Sequence, residues 1–158
     1  MEIEVNLGSI ELNHILFAGD PCYGYKSVWL YRLNVKPGKY LVQAIVENNE
    51  ITQVMIKHKD HLDVKARVIG EYLGVDSGTL SFCSDEFYRE THTDDTTKKE
   101  WWDKVIEETT SKTSQGYIIG NNHILFNTLY GDGEYVCYTG ENDNGEIVSL
   151  RIDNTGAK

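Results

Sequence analysis

Two stretches of this chain repeat a spacing of residues that can do chemistry. Phe17-Ala18-Gly19-Asp20-Pro21-Cys22-Tyr23 and Leu129-Tyr130-Gly131-Asp132-Gly133-Glu134-Tyr135 both contain Gly-Asp-x-x-Tyr, and Leu73-Gly74-Val75-Asp76-Ser77-Gly78 is a looser relative. In each, glycine lets the backbone approach a neighbour closely, and aspartate either caps local amides or aims a carboxylate outward. If Asp20, Asp76 and Asp132 meet at one end of a sheet, their repulsion calls for a divalent cation or a cationic ligand. A metal-activated water would then supply a hydrolase with its nucleophile. If they do not meet, each serves its own turn through an Asx bond. Neither an EF-hand loop nor an H-x-x-x-H helix is present, so no known metal spacing selects the first reading. The candidate ligand-binding residues are Gly19, Asp20, Tyr23, Asp76, Ser77, Gly131, Asp132 and Tyr135, with Asp20, Asp76 and Asp132 also the candidate metal ligands. No cofactor is expected, a divalent cation being the one group the metal reading would add.

Other reactive side chains are weaker candidates. Cys22 would become a nucleophile only if a histidine or a helix N-terminus lowered its pKa, and Asp20 pushes the other way, so Cys22 reads as a small packing residue. "GVDSG" sets Ser77 one position late for the G-x-S-x-G elbow of a hydrolase, which leaves it at best a hydrogen-bonding residue. His14 and His123 lie on apolar runs, whereas His58, His61 and His92 sit in polar stretches and read as solvated surface groups. Tyr23, Tyr25, Tyr72, Tyr130, Tyr135 and Tyr138 flank the Gly-Asp loops; tyrosine suits both a ligand pocket and an ordinary strand.

The elements that must position these residues are mostly strands. Tyr40, Val42, Ala44 and Val46 alternate with Leu41, Gln43, Ile45 and Glu47 up to Asn48-Asn49, after which Ile51 to Ile56 continues, and the asparagines suit a tight hairpin. Pro37-Gly38 reads as a turn leading in. A second hairpin is expected to turn at Gly120-Asn121-Asn122, and a third at Asn144-Gly145 with a type I′ geometry. Further strands are expected over Glu2 to Asn6, His14 to Ala18, Val28 to Leu33, Ala66 to Gly70 and Thr79 to Cys83. A long helix is expected over about 97–111, opened by a capping box of Thr97 and Glu100, with Trp101, Trp102, Val105 and Ile106 as its apolar stripe and Lys112 near its end. A shorter helical turn starts at Ser84 with Phe87 and Tyr88 facing inward, and the polar "RETHTDDTTKK" between the two helices is read as a mobile loop. The expected fold is mainly β: an antiparallel sandwich or curled sheet with one amphipathic helix packed on it. Residues 1–158 form a single domain with a partly helical, polar insertion at about 84–113.

Composition narrows the function. The chain of 158 residues carries 15 basic and 25 acidic residues, a net charge of −10, and shows no basic stripe, which argues against direct binding of nucleic acid. An acidic surface can instead engage a basic protein groove. No apolar run approaches the ~18 residues of a membrane span, and the first residues carry glutamates and no basic cluster, so no membrane association or secretion is expected. The odd count of 3 cysteines with no C-x-x-C pair fits reduced thiols in the cytoplasm.

With these motifs set in order, "GDPCY" at 19–23, "PGKY" at 37–40, "GVDSG" at 74–78 and "YGDGEY" at 130–135, the chain resembles an uncharacterised family of bacterial and phage proteins. The resemblance implies that the Asp-bearing loops belong together as a signature; it implies no reaction. The expected function is that of a small acidic cytoplasmic binding protein, such as an inhibitor, immunity or phage counter-defence factor, which holds a protein partner or small molecule without catalysis. The alternative is a metal-assisted hydrolase or ligand site built from Asp20, Asp76 and Asp132.

Overall fold

The computed structural model describes residues 2–22, 30–91, 94–110 and 117–156. Its first seven strands are β1 (Glu2–Leu12), β2 (Ile15–Gly19), β3 (Tyr31–Asn34), β4 (Gly38–Glu47), β5 (Glu50–His58), β6 (Val68–Val75) and β7 (Thr79–Ser84). Helices α1 (Asp85–Thr91) and α2 (Asp95–Thr110) follow, then β8 (Tyr117–Ile119), β9 (His123–Asn127), β10 (Gly133–Glu141) and β11 (Ile147–Asp153). The strands form two antiparallel sheets, one in the order β1-β4-β5-β11-β10-β6 and the other β3-β2-β7-β9-β8. The mainly β fold expected from the alternating pattern is the fold observed, a sandwich with helices on one outer face.

Period-two burial builds the core. On β4, Tyr40, Val42 and Ala44 are fully buried while Leu41, Gln43 and Ile45 are only partly so. The inward set joins Leu16, Ala18, Leu80, Phe82, Ile124 and Phe126 of the facing sheet in one cluster. The β4–β5 hairpin turns where expected, with Asn48 (φ 53°) and Asn49 (φ 65°) both left-handed, the type I′ geometry that matches strand twist. Every residue of β7 is buried because both its faces are covered. Leu80 and Phe82 enter the main core; Cys83 packs on the other side with Phe17, Leu30, Phe87 and Tyr88, a second cluster under α1 and Trp101.

Several expectations need correction. The helix starts before Thr97: Asp94 is its cap, Asp94 Oδ1 accepting the Thr97 amide at 2.8 Å while the Asp94 amide reaches Thr97 Oγ1 at 3.2 Å, a capping box shifted three residues upstream. The tract read as a mobile loop is therefore mostly helical, its ends belonging to α1 and α2. Ser84 does cap α1, accepting the Phe87 amide at 3.1 Å, and Phe87 and Tyr88 point inward as expected. On α2, Val105 is buried but Ile106 is 46% exposed, so Ile106 lies off the buried stripe. Lys112, His92 and residues 23–29 lie outside the described residues, and β3 is described only from Tyr31.

At the third hairpin Gly145 takes φ 78° but Asn144 does not join it, so the turn is not type I′. Asn142 organises a wider loop instead, its Oδ1 accepting the amides of Asn144 (3.1 Å) and Glu146 (2.9 Å). His58 is also no surface group: it is buried, taking the Asp60 amide on Nδ1 (3.1 Å) and so donating from Nε2 to the Pro37 carbonyl (3.0 Å). Among the described residues no helix is long and apolar enough to cross a membrane.

Candidate functional site

β2 and β6 end, and β7 and β10 begin, at the same end of the sandwich, which brings the Gly-Asp loops together. Asp20 follows β2 directly and is fully buried. Its Oδ1 accepts hydrogen bonds from the Cys22 amide (2.9 Å) and Ser77 Oγ (2.6 Å). Its Oδ2 accepts those of the Asp76 and Ser77 amides (2.7 and 2.8 Å). These are short, charge-assisted bonds, and they fill the lone-pair positions of both oxygens. Because Ser77 gives its hydroxyl proton to the carboxylate, Thr79 Oγ1 at 2.6 Å must be the donor in the Ser77–Thr79 contact. The carboxylate thus clasps the "GVDSG" loop to the "GDPC" loop across 57 positions of sequence.

The third loop is tied in by a threonine. Thr128 donates its amide to the Gly78 carbonyl at 2.9 Å, and its Oγ1 stands 2.7 Å from the Gly131 carbonyl. Tyr135, 1% exposed, donates its hydroxyl to that same Gly131 carbonyl at 2.8 Å. Gly131 itself turns at φ +73°, a left-handed backbone that a side chain would strain. The loops therefore adjoin, but their carboxylates diverge in environment: Asp20 is buried, while Asp76 and Asp132 are exposed. Asp132 stands on an open groove of about 750 Å³ with Tyr130 and Glu134. Among the described residues no group of three or more His, Cys, Asp or Glu is placed to hold a metal ion.

A pocket of about 310 Å³ opens beside this clasp, between the loop and the first turns of α2, lined by Pro21, Cys22, Asp95, Lys98, Trp101 and Trp102. Trp101 meets Phe87 edge-on at 5.3 Å, which seats the helix on α1, and Trp102 lies 5.9 Å from Trp101. The Cys22 thiol is pushed up to about 12, first by burial and then by its hydrogen bond to Asp20 and the negative charges of Asp20 and Asp76; Lys98 offsets only part of this. It is a neutral thiol at physiological pH and no nucleophile. The pocket offers two indoles, a proline ring and the ammonium groups of Lys98 and Lys99 against one carboxylate, Asp95, a combination suited to a small aromatic or apolar body bearing an anionic end.

Of the residues singled out in the sequence, Gly19, Asp20, Asp76 and Ser77 meet directly, with Ser81 Oγ donating to the Gly19 carbonyl at 3.0 Å. Gly131 and Tyr135 join them through Thr128, Asp132 stands apart on the rim, and Tyr23 and Tyr25 lie outside the described residues. Sequence reasoning missed Thr79 and Thr128, whose roles depend on partners far along the chain, and took Trp101 and Trp102 for core residues only. Two adjacent tryptophans on one helix cannot both face its buried stripe, and that was the available signal. No curated protein and no solved structure matches this chain. The model of a family described as a protein of unknown function, DUF4241, matches residues 13–152, which hold the clasp, the pocket and the strands after β1, and the chain belongs to that family.

Proposed function

We propose that this protein works by binding rather than by turnover, with the Trp101/Trp102 pocket as its ligand site and the Asp20 clasp as the scaffold that shapes it. The observation that carries this reading is the full commitment of the Asp20 carboxylate to four donors from its own chain. A general base or metal ligand needs a free lone pair, and this buried carboxylate keeps none. The neutral Cys22 thiol removes the other nearby nucleophile. A small ligand, or a side chain of a protein partner as in an inhibitor or immunity protein, would place its apolar part between the indoles and its charge at Lys98. The metal-assisted reading has no comparable support, since its central ligand is already satisfied.

The test pairs two measurements. A panel of small aromatic acids is titrated while thermal stability is followed; a saturable rise in Tm that disappears in Trp102→Ala is expected. In parallel the protein is assayed with generic phosphoester, carboxylester and peptide substrates. Turnover that survives purification and is lost in Cys22→Ser or Asp76→Asn, with the fold intact, would overturn the binding reading.

A further inference from the structure

The outward face of the six-stranded sheet carries a feature that the net charge of −10 conceals. A groove of about 340 Å³ crosses it, and Lys57, Lys65, Arg67 and Arg151 converge there against a single carboxylate, Glu4. Among the described residues, none of these cations has an acidic partner within 4.0 Å; the ion pairs there are Arg89–Asp85 and Lys99–Asp103, on the helices. Concentrating unpaired positive charge costs stability unless a ligand neutralises it.

The groove is built rather than incidental. Its wall is the segment joining β5 to β6, which lies over the sheet at Gly140: a Cβ there would stand 2.5 Å from the Lys65 carbonyl oxygen, so only glycine allows the crossing. The Arg67 amide donates to the Thr139 carbonyl at 3.1 Å and fixes that wall in place. On its floor, Ser149 is 1% exposed and its Oγ has no hydrogen-bond partner; Arg151 Nε is likewise buried and unpartnered. Buried donors left unsatisfied are costly, and two in one groove mark a position where an acceptor belongs. The Arg151 guanidinium is held from the other side by the Tyr138 ring, 4.2 Å from its centroid.

We propose that this face binds a small, multiply charged oxyanion of the phosphate-ester or diphosphate class. Four cations exceed what a single carboxylate neutralises. They approach from three directions, Lys57 from β5, Arg151 and Ser149 from β11, Lys65 and Arg67 from the overlying segment, which suits a tetrahedral group better than a planar one. Met55 and Ile45 give the remainder of an organic phosphate an apolar surface. This site is independent of the Trp101/Trp102 pocket and stands or falls separately.

Isothermal titration of the full chain with inorganic phosphate, pyrophosphate, adenosine monophosphate, glycerol 3-phosphate and citrate, at matched ionic strength, tests it. Saturable binding of pyrophosphate or a phosphate ester is expected, and the strongest of these probes distinguishes a nucleotide from a sugar- or glycerol-type phosphate. Arg151→Gln and Lys57→Gln are expected to weaken it on the order of tenfold to a hundredfold, as for loss of a charged hydrogen bond. Lys65→Gln and Arg67→Gln, at exposed positions where folding is safe, should each weaken it several-fold. Absence of saturable binding, equal binding of citrate and pyrophosphate, or wild-type affinity in the Lys65→Gln and Arg67→Gln variants would overturn the proposal.

Discussion

Asp20 shows how a residue chosen for chemistry can be spent on architecture. Its carboxylate meets only donors, so Asp20→Asn would turn an amide NH2 toward one pair of them and leave those donors facing another donor. A loss of roughly 3 kcal/mol is expected in urea unfolding, against about 2 kcal/mol for Ser77→Ala, which removes the two bonds its hydroxyl makes to Asp20 and Thr79; equal stability of Asp20→Asn and the parent would refute the clasp. Cys22 gives a chemical readout at the same place. With its pKa pushed up to about 12, only about one thiol in ten thousand is ionised at pH 8. Alkylation by iodoacetamide, followed by mass spectrometry, should therefore be far slower than for a free thiol and should keep accelerating above pH 9; a rate levelling off near pH 9 would contradict this. The importance of Asp20 was legible from the repeated Gly-Asp-x-x-Tyr spacing, but its use was not. The other motifs follow the same rule, Tyr40 of "PGKY" donating to the Lys36 carbonyl at 2.7 Å and Tyr135 of "YGDGEY" to Gly131. A motif says that residue types are required together; only the hydrogen-bond partners say whether they face a ligand or one another.

At the scale of elements, hairpins were legible where local residues decide them and not where a side chain reorganises the loop. Asn48-Asn49 needs only left-handed tolerance, whereas at 142–146 the carboxamide of Asn142 overrides the Asn-Gly preference. The start of α2 was missed because the box that forms, Asp94 with Thr97, carries a threonine where the sequence pattern requires Glu or Gln, whereas Thr97 with Glu100 fits that pattern. His123 joins the β8–β9 hairpin to α1, its ring stacked on Phe87 at 4.0 Å. Burial, aided by Lys104, lowers its pKa to about 4, against an ordinary 6.5 when unfolded. The unfolded chain then binds more protons between these values, so this contact's stability is complete above pH 6.5 and is lost as pH falls toward 4, by about 3 kcal/mol in all. Urea midpoints at pH 7 and pH 4.5 are expected to differ accordingly, and His123→Phe should reduce the difference. If that variant folds poorly, an NMR titration of the imidazole decides the matter: a midpoint near 6.5 would refute the half-buried, neutral histidine.

For the whole molecule, the strands that precede the helices, the front of the chain, and those that follow them, its back, are interleaved in both sheets. The six-stranded sheet inserts β11 and β10 from the back between β5 and β6 from the front, and the other sheet sets β9 beside β7. Pairings between strands so distant in sequence leave no trace in local periodicity, which reports only which face of a strand is buried. Net charge is equally blind to placement, since a chain of −10 still gathers four cations on one face. The interleaving has a thermodynamic consequence. Front and back cannot separate without opening the β5–β11 and β10–β6 pairings and the core in which Val54 and Ile56 lie with Leu150 and Ile152. Neither half retains a closed apolar layer alone, so unfolding should occur as a single cooperative step, as expected of one domain. Far-UV circular dichroism reports the sheets, and in a Trp29→Phe variant tryptophan fluorescence reports the helical side, where Trp101 and Trp102 lie. Their urea transitions are expected to coincide in midpoint and slope; if fluorescence changes first at a separate midpoint, α2 and its pocket form a unit that opens independently of the sandwich.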